Sequence, residues 1–161
     1  MKAKVFCFAL MGCLIPLAGL TCPEDCLEGQ PNLTVLRIDF ELVEQTSDST
    51  GTVRITGVAE NTGSGVFDSM AGQQSLQLYS GQSLASLTLL ETQEFVDVMP
   101  GEQIMVTHTM SWTTTDEFPP LFQAVLSYDP DIYIDGNDDN DDCATSDNAV
   151  QRDGSEINDL F

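Results

Sequence analysis

The sequence predicts an all-β domain built as two packed antiparallel sheets. Apolar and polar residues alternate with a period of two from Leu33 onward, no window longer than about ten residues beyond the leading apolar run keeps a helical stripe, and turn-forming residues interrupt the chain at short intervals. About six to eight strands at that spacing need two facing layers, because each strand has one apolar face to remove from water.

The strands follow in order. In "LTVLRIDFELVEQ", Leu36, Ile38, Phe40 and Leu42 share one face and Arg37, Asp39 and Glu41 the other, and "TSDSTG" turns the chain. "TVRITGVAENTGSG" puts Val53 and Ile55 on one face, with Gly57 read as a bulge before Val58 and "NTGSG" as loop. "QQSLQLYSG" directs Leu76 and Leu78 inward, and in "LASLTLLETQEFVDV" the alternation breaks at Leu89 and Leu90. "MPGE" is a turn, since Pro100 fixes its own φ and Gly101 tolerates the backbone angles needed to reverse the chain. "EQIMVTHTMSW" sets Ile104, Val106, His108, Met110 and Trp112 against Gln103, Thr107, Thr109 and Ser111, and Phe122 to Tyr128 is a further apolar strand. A short closing strand near Ala149 to Val150 precedes a tail expected to fray.

The first 21 residues read as a secretory signal. Lys2 and Lys4 precede the apolar run "VFCFALMGCLIPLAGL", which is too short and too broken by Pro16 to favour a permanent membrane span, so none is expected in the mature chain. The expected organisation is a signal over 1–21, an N-terminal extension over 22–32, the sandwich over 33–152 and a C-terminal tail over 153–161. The expected location is outside the cytoplasm: secreted, periplasmic or at the cell surface. Cys22 is a candidate for lipid attachment and so for anchoring.

Charge excludes one class of partner. The chain has a formal net charge of −21, and once the signal is removed Arg37, Arg54 and Arg152 are its only fixed cations, so no nucleic acid is expected to bind. Three cysteines lie beyond the signal in a disulfide-permitting compartment. If Cys22 is lipidated or removed, Cys26 and Cys143 form a staple between the ends of the domain; otherwise Cys22 and Cys26 compete for Cys143, or bridge each other.

The order "ENTGSG", "LQLY", "MPGEQIMVTHTMSW", "FQAVLSYDPD" and "DGNDDNDDCAT" resembles the bacterial cell-adhesion-related immunoglobulin-like domain called CARDB. Asn61 and Gly63 match its polar turn, Pro100 to Glu102 and Trp112 its "PGE" turn and following strand, and Asp129 and Pro130 the late strand that runs into an acidic turn. Asp141 and Asp142 stand where that family usually has asparagines, and its last regular strand is poorly formed here. The resemblance spans about Asn32 to Ala149. It implies an immunoglobulin-like antiparallel β-sandwich of about seven strands, used in envelope or secreted proteins for adhesion, spacing or binding, without shared catalytic machinery.

"DPDIYIDGNDDNDDC" then becomes the connection between the last two strands. Asp135, Asn137, Asp139 and Asp141 occupy alternate positions, a spacing that lets oxygen ligands converge on calcium. Asn140 at the sixth position and Ser146 at the twelfth exclude the helix-loop-helix calcium motif. The competing reading is a turn in which Asp and Asn cap their own backbone. Ile132, Tyr133 and Ile134 read as buriable, strand-forming residues and argue against a disordered spacer.

No catalytic constellation accompanies these features. His108 is the only histidine and shares a face with Val106 and Met110, so it reads as a sheet histidine. Neither a "GxSxG" elbow nor "HExxH" is present. Trp112 reads as core, Tyr128 as part of a strand, and Tyr79 as the better surface candidate for stacking on a sugar. The expected function is a non-catalytic exported module that binds a protein or glycan surface, with calcium as an optional stabiliser. A self-assembling surface subunit, whose end segments complete a neighbour, and a small carbohydrate-binding protein are the alternatives.

Overall fold

The structure is a computed structural model and describes residues 26–161; the signal over 1–21 and the lipidation candidate Cys22 lie outside the described residues. Among the described residues seven strands form: β1 (Leu33–Ser47), β2 (Thr50–Asn61), β3 (Gln74–Gly81), β4 (Thr88–Glu94), β5 (Gln103–Thr113), β6 (Leu121–Tyr128) and β7 (Ala149–Asp153). They make a three-stranded sheet ordered β1-β2-β5 and a four-stranded sheet ordered β4-β3-β6-β7, with every ladder antiparallel. The chain is therefore an all-β, seven-stranded sandwich of immunoglobulin-like type.

The core lies between the sheets. Val53, Ile55 and Ala59 of β2 face Leu76 and Leu78 of β3 and Phe122, Ala124 and Leu126 of β6. Phe122 is fully buried, with the Phe40 ring 5.5 Å away edge-on and the Trp112 ring at 6.3 Å. Burying a side chain of that size is worth about 1.5–3 kcal/mol.

Three strand expectations change. The inward row of β1 is Leu33, Val35, Ile38, Phe40 and Leu42, while Leu36 is exposed. A register shift between Val35 and Arg37 inserts Leu36 as an extra residue and flips the phase, so both halves of the strand keep an apolar face inward. Gly57 is not the bulge: its ladders to Ile38 and Val106 run through without a shift. A Cβ there would come within 2.9 Å of the Ala124 Cβ, so glycine serves the close approach of the two sheets. In β4, Leu90 is skipped between the pairs Leu78–Glu91 and Tyr79–Leu89, which leaves Leu89 exposed and Leu90 against the core.

The tail does not fray. Gly154–Leu160 winds into a 3₁₀ turn opened by the Asp153 carboxylate, which accepts from the Ser155 N–H. It buries Ile157 completely, ties Asn158 Oδ1 to the Trp112 indole N–H at 2.9 Å, and brings Phe161 against the core. The N-terminal segment is also part of the domain. Pro31 is buried, and Gln30 O accepts from the backbone N–H groups of Ser64 and Gly65. From residue 26 onward, the end segments that the self-assembly alternative assigns to a neighbour pack on their own sandwich.

Candidate functional site: the acidic connection and the end it closes

Asn61 organises this end of the sandwich. It ends β2 fully buried, and its side chain makes four hydrogen bonds. Oδ1 accepts from the N–H groups of Asn32 (3.2 Å) and Gly63 (3.1 Å); Nδ2 donates to the carbonyls of Gly65 and Val98, both at 2.8 Å. Its carbonyl also accepts from Gly101, whose φ of +78° shapes the Met99–Glu102 turn. One amide thus joins the N-terminal segment, the 61–65 loop and the Pro100 turn. Phe67, fully buried, bridges Val98 and seals the layer beneath.

The acidic connection crosses the same end from Asp129 to Asn148. Ile132, Tyr133 and Ile134 form a 3₁₀ turn in place of the expected strand residues, with Ile132 buried and Ile134 exposed. Such turns suit a sharp change of direction because bonding to the third residue tightens the coil. Cys26 and Cys143 are joined in a disulfide, Cα to Cα 5.6 Å, and the Cys143 N–H donates to Pro31 O. The connection is thereby fixed to the start of the domain.

Of the four candidate calcium ligands, Asp135, Asn137 and Asp139 are exposed and Asp141 is half-buried. Asp135 Oδ1 accepts from the Asn137 N–H at 2.7 Å, and Asn137 Oδ1 from the Asp139 N–H at 3.3 Å. Those two alternate positions are capping the backbone two residues on. Asn137 Nδ2 and the Asp139 carbonyl pair with the backbone of Asp68, stitching the loop to the segment before β3. Among the described residues no three acidic, thiol or imidazole side chains are grouped so as to hold a metal ion.

Asp142, absent from the expected ligands, is the buried acid of the site, with 5% of its surface exposed. Its Oδ1 accepts from the Leu33 N–H at 3.1 Å and its Oδ2 from the Tyr128 hydroxyl at 2.9 Å. Burial holds the Asp142 carboxyl above the usual carboxylate range, against the pull of its hydrogen bonds from Asn148, Tyr128, Leu33 and Ala144. Its own burial, with the Asp142 charge, pushes the Tyr128 hydroxyl far up. Nothing in the sequence distinguishes Asp142 from the other aspartates of the connection. It stands next to Cys143, at the point where the disulfide ties the connection to the start of the domain.

The aromatic candidates do not form a stacking platform. Trp112 is buried, and Tyr128 lies partly buried between Phe67 and Tyr133. Tyr79 is half-buried with its hydroxyl on Gln77. His108 sits in the inner row of β5 opposite Ile55, and both cysteines of the described residues are in the disulfide. The open surface is instead the outer face of β1-β2-β5. There Thr52, Arg54 and Thr56 pair across β2 and β5 with Ser111, Thr109 and Thr107, with Glu41 and Asp39 alongside on β1. Arg54 is ion-paired to Glu41 at 2.6 Å, and all three β5 residues are exposed.

These features define a class, an all-β immunoglobulin-like sandwich with a stapled acidic connection. No family model and no curated protein matches the chain. Among solved structures, it is similar to the CARDB domain of a Pyrococcus furiosus protein in complex with di-metal ions, at 16% identity and a TM-score of 0.42, covering 81% of this chain and 92% of that one. It is also similar to β-glucosidase 3B of Thermotoga neapolitana (11% identity, TM-score 0.33, 76% of this chain) and to a β-glucosidase of Kluyveromyces marxianus (14%, 0.29, 73%). The chain spans only 16% and 14% of those two enzymes. These distant likenesses assign neither ligand nor activity.

Proposed function

We propose that the chain is a non-catalytic, exported binding module of CARDB type that engages a protein or glycan surface at the cell exterior. The outer face of β1-β2-β5 carries this reading: a flat, solvated ladder of hydroxyl and charged side chains across three strands, running Asp39–Thr56–Thr107 and Glu41–Arg54–Thr109. Such a surface suits broad, polar contact rather than enclosure of a small substrate. Surface depressions of about 240 and 300 Å³ lie off this ladder, one beside Tyr128 and one at the start of β5 beside Ile104 and Met105. In this reading a divalent cation, calcium at an exterior, staples the acidic connection and takes no part in chemistry.

The test is binding of the purified protein to arrayed glycans and to intact cells, beside the double variant Arg54→Glu, Thr109→Arg. Retention by wild type that the double variant lacks is the expected result. Equal retention by both, or hydrolytic turnover by the pure protein, contradicts the reading.

A further inference from the structure

Four side-chain oxygens of the acidic connection, on Asn140, Asp141, Asp147 and Asn148, lack partners although they are out of water, and the first two belong to the aspartate-rich run itself. Asn140 is 1% exposed, and its Oδ1 has no hydrogen-bond donor; the same holds for Asp141 Oδ1 beside it. The Asn140 amide is oriented by its other limb, since Nδ2 donates to Asp135 Oδ2 at 2.9 Å. Turning the amide over would set its oxygen against that carboxylate, so Oδ1 is the atom left bare. A buried acceptor without a donor is destabilising, and a second beside it adds to that. No cationic side chain is at hand: among the described residues the arginines pair with Asp39, Glu41 and Glu156.

We propose that Asn140 Oδ1 and Asp141 Oδ1 are the inner pair of a hard-cation site, with the Asp138 and Asp135 carboxylates supplying charge around it, and that calcium is the ion it takes. Of the expected ligands Asp135, Asn137, Asp139 and Asp141, this keeps Asp141 in the inner pair and Asp135 as surrounding charge, and adds Asn140 and Asp138; Oδ1 of Asp135 and Oδ1 of Asn137 serve the backbone, whereas Oδ1 of Asn140 and Oδ1 of Asp141 are unpartnered. It rests on the reading of the acidic connection as a stapled, non-catalytic loop. The charges of Asp138 and Asp135 act on the Asp141 carboxyl, which places them around this pair. Hard cations take neutral amide and water oxygens beside carboxylates, so a site with few acids is a weak one, of order 10⁻⁴ to 10⁻³ M, matched to exterior calcium.

The experiment is thermal melting of the purified full chain after chelation, titrated with calcium and with sodium chloride of equal ionic strength. Wild type is expected to gain roughly 3 to 6 °C by about 5 mM calcium beyond the salt effect. Asp141→Asn should raise the half-saturating calcium at least about tenfold, and Asp131→Asn, in the same loop, less than about twofold. No gain in wild type beyond salt, or equal shifts in the two variants, overturns the proposal. Terbium emission excited through tyrosine gives a reading independent of how the variants fold, because Tyr133 feels the Asp141 charge. Emission from wild type that calcium competes away supports the site; its absence contradicts it. The glycan and cell binding of the outer sheet face is read separately, so either proposal can fail while the other stands.

Discussion

Two side chains decide how this end of the sandwich is held, and they act in opposite ways. Asn61 is buried with every donor and acceptor of its amide in use. Asn61→Ala leaves the Val98 and Gly65 carbonyls without that donor, so it should cost about 2–4 kcal/mol in urea unfolding. Asn61→Asp, which keeps the acceptor and loses the donor, should fall in the same range. Asp142 is held by several bonds yet penalised for its charge. Asp142→Asn keeps the shape and one acceptor oxygen for the Leu33 N–H, and its new NH2 can donate to the Tyr128 hydroxyl oxygen, while the charge is removed, so at pH 7 it should change stability by less than about 1 kcal/mol. Asp142→Leu, which strands the Tyr128 hydroxyl and the Leu33 N–H, should cost about 2–3 kcal/mol. Chemical unfolding of wild type and both Asp142 variants checks the order.

At the scale of elements, the period of two was sufficient to place most strands, because an inward row with a regular pitch has little choice of face. β5 and β6 run as expected, with Ile104, Val106 and Trp112, then Phe122, Ala124 and Leu126, all buried. The pattern misled where backbone irregularity intervened. Leu36 keeps perfect alternation with Ile38 yet points outward, since the extra residue of a bulge changes phase without changing composition. The tail was illegible for another reason: "GSEINDLF" has only Ile157, Leu160 and Phe161 as apolar residues, and the packing of Ile157 and Phe161 depends on the space left beside Trp112 and the β1–β2 hairpin. The acidic candidates could be read only as a region. Which oxygens cap backbone and which stay bare depends on the path of the loop, which is tied to Cys26 and Asp68, both distant in sequence. Because Ile157 fills core, Ile157→Ala should lower stability by about 2–4 kcal/mol. A free, frayed tail would show almost no change in the same melt.

For the molecule as a whole, charge sets the pH response. The carboxyls of Asp142, Asp141 and Asp68 are held above the usual range, the first two chiefly by burial and Asp68 chiefly by the Asp97 charge. Between the usual and the raised pKa the folded chain binds more protons than the unfolded one, so stability falls as pH rises through that window. Asp135 and Asp153, held low by hydrogen bonds from Asn140 and Ser155 respectively, act the other way: their contribution is present above the usual carboxylate range and is lost as pH falls through their lowered values. Relief of repulsion in a chain of net charge −21 adds to the first effect. Melting temperature should therefore peak in mild acid, be lower at pH 7, and fall again in strong acid. In Asp142→Asn the fall from mild acid to pH 7 should be shallower, because Asp142 is the most buried of the three raised acids.

The central claim is that both ends of the described chain and the acidic connection form one cooperative unit with the two sheets. Native-state hydrogen exchange followed on peptides tests it most directly. The amides of Leu33, Asn61, Asp68 and Cys143 should exchange with the same opening free energy as those in the middle of β2 and β6. Exchange of Leu33, Asp68 and Cys143 within seconds, while β2 and β6 stay protected, would contradict the account.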